Sequence, residues 1–181
     1  MTGKMRYNND GESIASFRSV EWLSKYVLTS DILKKEESIL DVGSGNGRVN
    51  PLYNKYFKKI VNVEPGAALD DKFNFKNVEY FKSTIQDFEY EEKFDVIIFV
   101  FTLYGFEDKF SIIEKCLTLL KEKGRIIVVT EFEWTDRKSK PSLYIDFLKL
   151  CEKFKLTCDF EKRNHEEKKD WEYVLAILER K

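Results

Sequence analysis

Short apolar runs of strand length alternate along the chain with segments whose apolar residues recur at helical spacing, a pattern that predicts an α/β fold on a mainly parallel sheet. Residues Glu12 to Thr29 read as a leading helix, with Phe17, Val20, Leu23 and Val27 on one side. Ser38 to Val42 is the first predicted strand and runs straight into a glycine-rich turn. A helix is expected near Gly47 to Phe57, with Pro51 in its first turn, where a missing N–H costs little. Ile60 to Glu64 and Val78 to Phe81 read as the second and third strands. Asp95 to Phe101 is the strongest, with six apolar residues in a row, as expected when both faces are covered. Phe110, Ile113, Leu117 and Leu120 have 3-4-3 spacing, and Gly124 stands where a helix C-terminal cap belongs. Arg125 to Phe132 reads as the fifth strand, and a helix from near Pro141 presents Leu143, Phe147, Leu150 and Phe154. The last two β-like runs, Leu156 to Phe160 and Trp171 to Leu178, lie close enough in sequence to pair as an antiparallel hairpin.

A length of 181 residues fits one domain with a sizeable core. The expected division is a helical lid segment over 1–35 and a core over 36–181. Lys+Arg (31) and Asp+Glu (32) cancel to a net charge of -1 and are interleaved, so nothing resembles the basic footprint of a nucleic-acid binder. The longest apolar stretch, Val96 to Leu103, is too short to cross a bilayer, and Met1 to Asp10 lacks the apolar core of a signal peptide. Cys116, Cys151 and Cys158 form no CxxC pair, and there is one histidine, His165, in an expected hairpin loop. These features point away from a metal site and toward a reduced, cytoplasmic protein, monomeric or homodimeric.

The chemistry concentrates in Asp41-Val42-Gly43-Ser44-Gly45-Asn46-Gly47, which follows a predicted strand and opens a predicted helix. Glycines allow a sharp turn and close approach of a ligand, and a helix N-terminus supplies unpaired N–H groups. Glu64 closes the second strand, where an acid can accept both hydroxyls of a ribose. The glycines run G-x-G-x-G rather than the G-x-G-x-x-G of dinucleotide sites. Asp41 at the mouth would repel a pyrophosphate but favour a ligand that carries a sulfonium and an ammonium.

Ile39 to Gly47 closely resembles the first motif of the class I S-adenosylmethionine-dependent methyltransferases. Val63-Glu64-Pro65 looks like their ribose-binding acid, Phe94-Asp95-Val96-Ile97 like the start of their fourth strand, and Leu120 to Val129 like the segment leading through a glycine into their fifth. The resemblance implies a doubly wound seven-stranded sheet of order 3-2-1-4-5-7-6, with strand 7 antiparallel and helices on both faces. It also implies S-adenosylmethionine as cofactor and no metal. Gly43, Ser44 and Gly45 would line its aminoacyl part with Asp41 nearby, and Arg48 would pair with its carboxylate. Glu64 and Pro65 would meet the ribose, Ile85 and Gln86 would flank the adenine with Asp87 as a possible acceptor or cap, and Phe101 would sit beside the transferring methyl.

For the acceptor, no Asn/Asp-Pro-Pro-Tyr/Phe or Pro-Cys motif of nucleic-acid methylation follows the fourth strand. Phe101 to Asp108 looks instead like a stretch of small-molecule methyltransferases, with Gly105 in place of a histidine. Ser16-Phe17-Arg18 and Lys93 to Asp108 are locally similar to histamine N-methyltransferases. The expected reaction is methylation of a small molecule, an amine. Tyr104 and Glu131 are the catalytic candidates, and Tyr7, Trp22, Tyr26, Glu133 and Trp134 the substrate-binding ones. Gly43 to Arg48 and Gln86 to Phe88 are also similar to protein N-terminal methyltransferases, which leaves a peptide amine as an alternative, alongside a non-catalytic partner subunit of the same fold.

Overall fold

The computed structural model describes residues 20, 23–131, 143–164 and 172–181. Seven strands form one sheet: β1 (Glu36–Val42), β2 (Phe57–Val63), β3 (Val78–Phe81), β4 (Phe94–Val100), β5 (Leu120–Glu131), β6 (Leu156–Asn164) and β7 (Glu172–Arg180). Their order is β3-β2-β1-β4-β5-β7-β6. The pairs from β3 through β5 are parallel, whereas β7 runs antiparallel between β5 and β6. The expected topology is therefore the observed one.

Alternation of side chains along each strand divides the core in two. Leu40, Val42, Ile97, Phe99, Ile126 and Val128 face one way, toward helices α2 (Lys109–Leu119) and α3 (Leu143–Phe154). Ile39, Ile60, Val96, Ile98, Ile127 and Val129 face the other, toward the π-helical turn Leu23–Val27 and the short helix α1 (Asn50–Tyr53). Because both faces are covered, the central strands are apolar at nearly every position.

Several boundaries differ from the expectation. The helix after the glycine turn is one turn long, Asn50–Tyr53, and does not span the expected Gly47 to Phe57. Asn50 spends its side chain on tertiary bonds, donating to the Phe73 carbonyl and accepting from Asn62. Phe57 then enters β2 opposite Glu36 and is buried, so the chain must be extended there. Gly124 is not a helix cap. Helix α2 ends at Leu119, and β5 begins at once with Leu120 in extended conformation. The register with β4 shifts between Phe94 and Val96. The leading helix is described only at Val20 and over Leu23–Val27, and the remainder of Glu12 to Thr29 before Leu23 lies outside the described residues.

Candidate active site

The carboxyl ends of β1, β2 and β4 converge on the glycine turn. Its backbone is left-handed at Gly43 (φ 77°), Gly45 (58°) and Gly47 (81°). A Cβ at Gly43 would stand 2.6 Å from Thr102 Cγ2, so only glycine lets the turn close against the end of β4. Thr102 completes this junction by donating its hydroxyl to the Val42 carbonyl at 2.8 Å. At Gly45 the opposite holds, since no atom lies within 4 Å of where a Cβ would be. That side of the turn is an open cradle.

Glu64, 2% exposed, ties the turn to the loop after β2. It accepts from the N–H of Gly45 (3.1 Å), Gly66 (2.7 Å) and Ala67 (3.2 Å). Tyr80 reaches across from β3 and donates its hydroxyl to the Ala67 carbonyl, with the Gly45 carbonyl 3.5 Å away. Burial, reinforced by the Glu64 charge, pushes the Tyr80 hydroxyl up to about 12, which keeps it a donor. Beneath the turn, Asp41 is 2% exposed and its Oδ1 has no hydrogen-bond partner; Ser44 Oγ is likewise buried without one. Burial pushes the Asp41 carboxyl up to about 7, against a lowering contact with Tyr53, and the Glu64 charge pushes it further up.

At the end of β4, Phe101 adopts φ 57°, an unusual conformation for an aromatic residue, and donates its N–H to the Val129 carbonyl at 2.7 Å. Strain of this kind persists only where surrounding packing imposes it, here burial of the ring in the core cluster on that face of the sheet. Phe101 therefore packs into the core at the end of β4. Ile85 is also in the core, Gln86 and Pro65 are exposed, and Arg48 is half-buried. Asp87 is exposed; it accepts from the Thr84 hydroxyl at 2.7 Å and donates its N–H to the same oxygen at 3.2 Å. Tyr104 lies in the single turn Leu103–Gly105 after β4, and Glu131 ends β5, so the backbone brings both to the same sheet edge; their side chains, and that of Tyr26, are outside the description. Tyr7, Trp22, Glu133, Trp134 and His165 lie outside the described residues. Tyr53, Tyr80, Thr102 and Asn62 were not anticipated. Asn62 carries the one available signal, a polar residue inside an otherwise apolar strand end.

The methyltransferase domain family model matches residues 14–175. The chain belongs to that family. It is a class I S-adenosylmethionine-dependent methyltransferase, with the family's sheet order and S-adenosylmethionine as cofactor. The fold is similar to that of the N-methyltransferase NodS from Bradyrhizobium japonicum, crystallised with S-adenosylhomocysteine. That match has a TM-score of 0.63 and 16% identity over 78% of this chain and 76% of that one. The Burkholderia thailandensis 1,6-didemethyltoxoflavin-N1-methyltransferase gives 0.69 and 13%, over 89% and 81%. The plantazolicin methyltransferase BpumL gives 0.64 and 14%, over 90% and 84%. No curated protein matches the sequence.

The turn suits the cofactor's aminoacyl group on two observations. It has an open cradle at Gly45, and two buried oxygens, Asp41 Oδ1 and Ser44 Oγ, stand beside it without partners. Unsatisfied buried acceptors are costly, and an ammonium ligand would satisfy them. Among the described residues no group of His, Cys, Asp and Glu could hold a metal ion, and no helix is long and apolar enough to cross a membrane.

Proposed function

We propose that this chain transfers a methyl group to a nitrogen of a small molecule at the carboxyl edge of the sheet. The observation that carries the site is the open cradle at Gly45 in a turn whose Asp41 Oδ1 and Ser44 Oγ are buried without hydrogen-bond partners. Gly43, Ser44 and Gly45 would hold the cofactor's aminoacyl part, with Asp41 facing its ammonium and Arg48 its carboxylate. Glu64 would serve the ribose through the carboxylate that already organises both loops, and Ile85 and Gln86 would border the adenine. When bound, S-adenosylmethionine supplies an electrophilic methyl group on its sulfonium.

The protein's own contribution is then positioning and exclusion of water. Thr102 and the strained Phe101 backbone fix where β4 ends relative to the turn, and Tyr104, in the turn after β4, and Glu131, at the end of β5, would flank that point. A neutral amine needs only a lone pair aligned with the methyl–sulfur bond, while carboxylates and aromatic faces would hold the cationic product. Two of the structural neighbours bear nitrogen methylation in their names, and this favours nitrogen over oxygen as the acceptor. The residue types of the expected substrate set, Tyr7, Trp22, Tyr26, Glu133 and Trp134, would suit a small amine better than a polyanion, in a protein that works in the cytoplasm as one domain.

The test is incubation of purified protein with S-adenosylmethionine and a panel of amines, alcohols and short peptides, read by mass spectrometry for methylated product. Methylation of amines supports the reading. Methylation of alcohols alone overturns the nitrogen assignment, and of peptides alone the small-molecule one. Cofactor binding without turnover of any acceptor would point to the non-catalytic partner role.

A further inference from the structure

Glu64, just past β2, and Tyr80, on β3, grip the same two residues by opposite ends of the backbone. Glu64 Oε2 accepts from the Gly45 N–H at 3.1 Å, and Oε1 accepts from Gly66 and Ala67 at 2.7 and 3.2 Å. Tyr80 donates its hydroxyl to the Ala67 carbonyl and stands 3.5 Å from the Gly45 carbonyl. The Glu64 N–H donates to the Phe81 carbonyl at 3.0 Å, which fixes the acid beside the end of β3. Gly45 belongs to the glycine turn and Ala67 to the loop after β2, so the acid and the phenol together tie the two loops to each other. Further along, the Asp70 N–H donates to the Asn46 carbonyl at 3.1 Å and joins the loops a second time. An ionised carboxylate has about four acceptor places. Backbone N–H groups already fill at least three on Glu64. A ribose that brings two hydroxyls to this carboxylate therefore displaces at least one of them. The Ala67 bond is the longest of the three, and Ala67 alone has a second firm hold, through its carbonyl.

We propose that Tyr80 is a positioning residue of the cofactor site, which holds the loop after β2 in place while Glu64 exchanges the Ala67 N–H for a ribose hydroxyl. The inference rests on the S-adenosylmethionine reading of the turn, with Glu64 as the ribose acid. Only hydrogen bonds change. Ala67 gives up the bond from its N–H to Glu64 and stays tethered through its carbonyl to the Tyr80 hydroxyl. Tyr80 thus acts on the ligand through Ala67 and not by contact. Without that hydroxyl the same exchange would loosen the loop, and holding it in order would consume part of the affinity that the ribose hydroxyls supply. Burial, reinforced by the Glu64 charge, keeps the Tyr80 hydroxyl protonated, so it remains a donor throughout the neutral range.

The experiment is calorimetric titration of the protein and its Tyr80→Phe variant with S-adenosylhomocysteine and with its 2′,3′-dideoxyribose analogue. Phenylalanine keeps the ring, and the bond between Asp70 and Asn46 remains, so the variant should fold, as circular dichroism would verify. The unaltered protein should prefer S-adenosylhomocysteine over the analogue by about a hundredfold. Tyr80→Phe should weaken S-adenosylhomocysteine by about tenfold and the analogue by less than about twofold, so the preference shrinks. A merely structural role for Tyr80 would weaken both ligands equally and leave the preference as it was. A second readout needs no variant: in the NMR spectrum of the unaltered protein, the Ala67 amide proton should move upfield with S-adenosylhomocysteine and hold its place with the analogue. Unchanged affinity in Tyr80→Phe, equal weakening of both ligands, or an Ala67 amide that responds alike to both would each overturn the inference while leaving the cofactor site intact. Equal binding of both ligands by the unaltered protein would remove the ribose role of Glu64 and the inference with it. Absence of any binding by the folded protein would overturn the cofactor site itself.

Discussion

Asp41 and Asp95 stand on adjacent strands at opposite edges of the sheet, and their surroundings drive the two carboxyls in opposite directions. Asp95, at the amino end of β4, accepts from the Ser38 N–H and hydroxyl at 3.0 Å each and from Lys121 Nζ at 3.0 and 2.9 Å. Partial burial alone would raise its pKa, but the bonds from Lys121 and then Ser38 outweigh it, and Asp95 lies below the ordinary aspartate value. Asp41, at the carboxyl end of β1, is more deeply buried, and burial with the nearby Glu64 charge holds it at about 7. Asp41 pairs with Ile98, three residues beyond Asp95, so about 10 Å of strand separates them. The amino edge uses its aspartate to fasten β1 to β4 and β5. The carboxyl edge leaves one oxygen of its aspartate, Oδ1, buried without a hydrogen-bond partner, a cost that a bound ligand would offset.

The largest expected effect follows from that cost. The folded-state pKa of Asp41 lies above its unfolded value, so the native state holds the extra proton between about pH 4 and pH 7, and stability falls as pH rises through that window. Asp41→Asn removes the penalty. It should stabilise the unliganded protein by up to about 4 kcal/mol at pH 8 and change little at pH 4. Urea unfolding at pH 4, 6 and 8 measures this, and equal destabilisation at every pH would break the contrast between the two aspartates.

Next in size is strain at the same edge. Gly43→Ala places a methyl 2.6 Å from Thr102 Cγ2 at a positive φ, and should cost about 3 kcal/mol. Thr102→Ser deletes that Cγ2 while keeping the hydroxyl that bonds to the Val42 carbonyl, so the double variant should recover part of the loss. Thermal unfolding of the single and double variants checks both. No recovery would mean that backbone strain, not crowding against β4, carries the whole effect.

Sequence and structure agree most where a signal is local and periodic. The apolar runs located every strand of the sheet, and the glycine spacing with Asp41 and Glu64 marked the edge where the loops converge. What escaped was decided by tertiary contact. Gly124 looks like a cap in sequence, but β5 pairs with β4 before a cap can form. Asn50 and Asn62 read as unremarkable polar residues until the fold brings them to 3.1 Å of each other beneath the turn. Tyr53 has an ordinary place on a helical face, and nothing local says that its hydroxyl ends beside Asp41. Phe101 was legible as the end of β4 but not as a left-handed residue turned into the core, because helical or strand period carries no information on the sign of φ.

At the amino edge the effects should be smaller and of opposite sign. Asp95 lies below its ordinary value when folded, so its contribution is present above the unfolded aspartate pKa and lost as pH falls. Asp95→Asn should destabilise the protein by about 1 kcal/mol at pH 7 and by less under acid conditions, since an amide oxygen can still accept from Ser38. Combined with Asp41→Asn, the two changes should add within about 0.5 kcal/mol, as expected of sites without a shared partner. A larger interaction energy would show that the edges are coupled through β1 and β4.

The smallest effect isolates the cation. Lys121 lies at the start of β5, just after the strand leaves α2, and its side chain remains 40% exposed against 25% for Asp95. Water therefore screens the pair, and Lys121→Met should cost only about 0.5 kcal/mol, a difference that shrinks as salt is added. Most of the Asp95 contribution would then come from Ser38, whose N–H and hydroxyl bind β1 to β4 whether or not the lysine is present. A double-mutant cycle of Asp95→Asn with Lys121→Met, measured at low and at 1 M salt, separates the two sources. A coupling well above 1 kcal/mol that survives high salt would mean that the amino edge also holds a strongly desolvated charge.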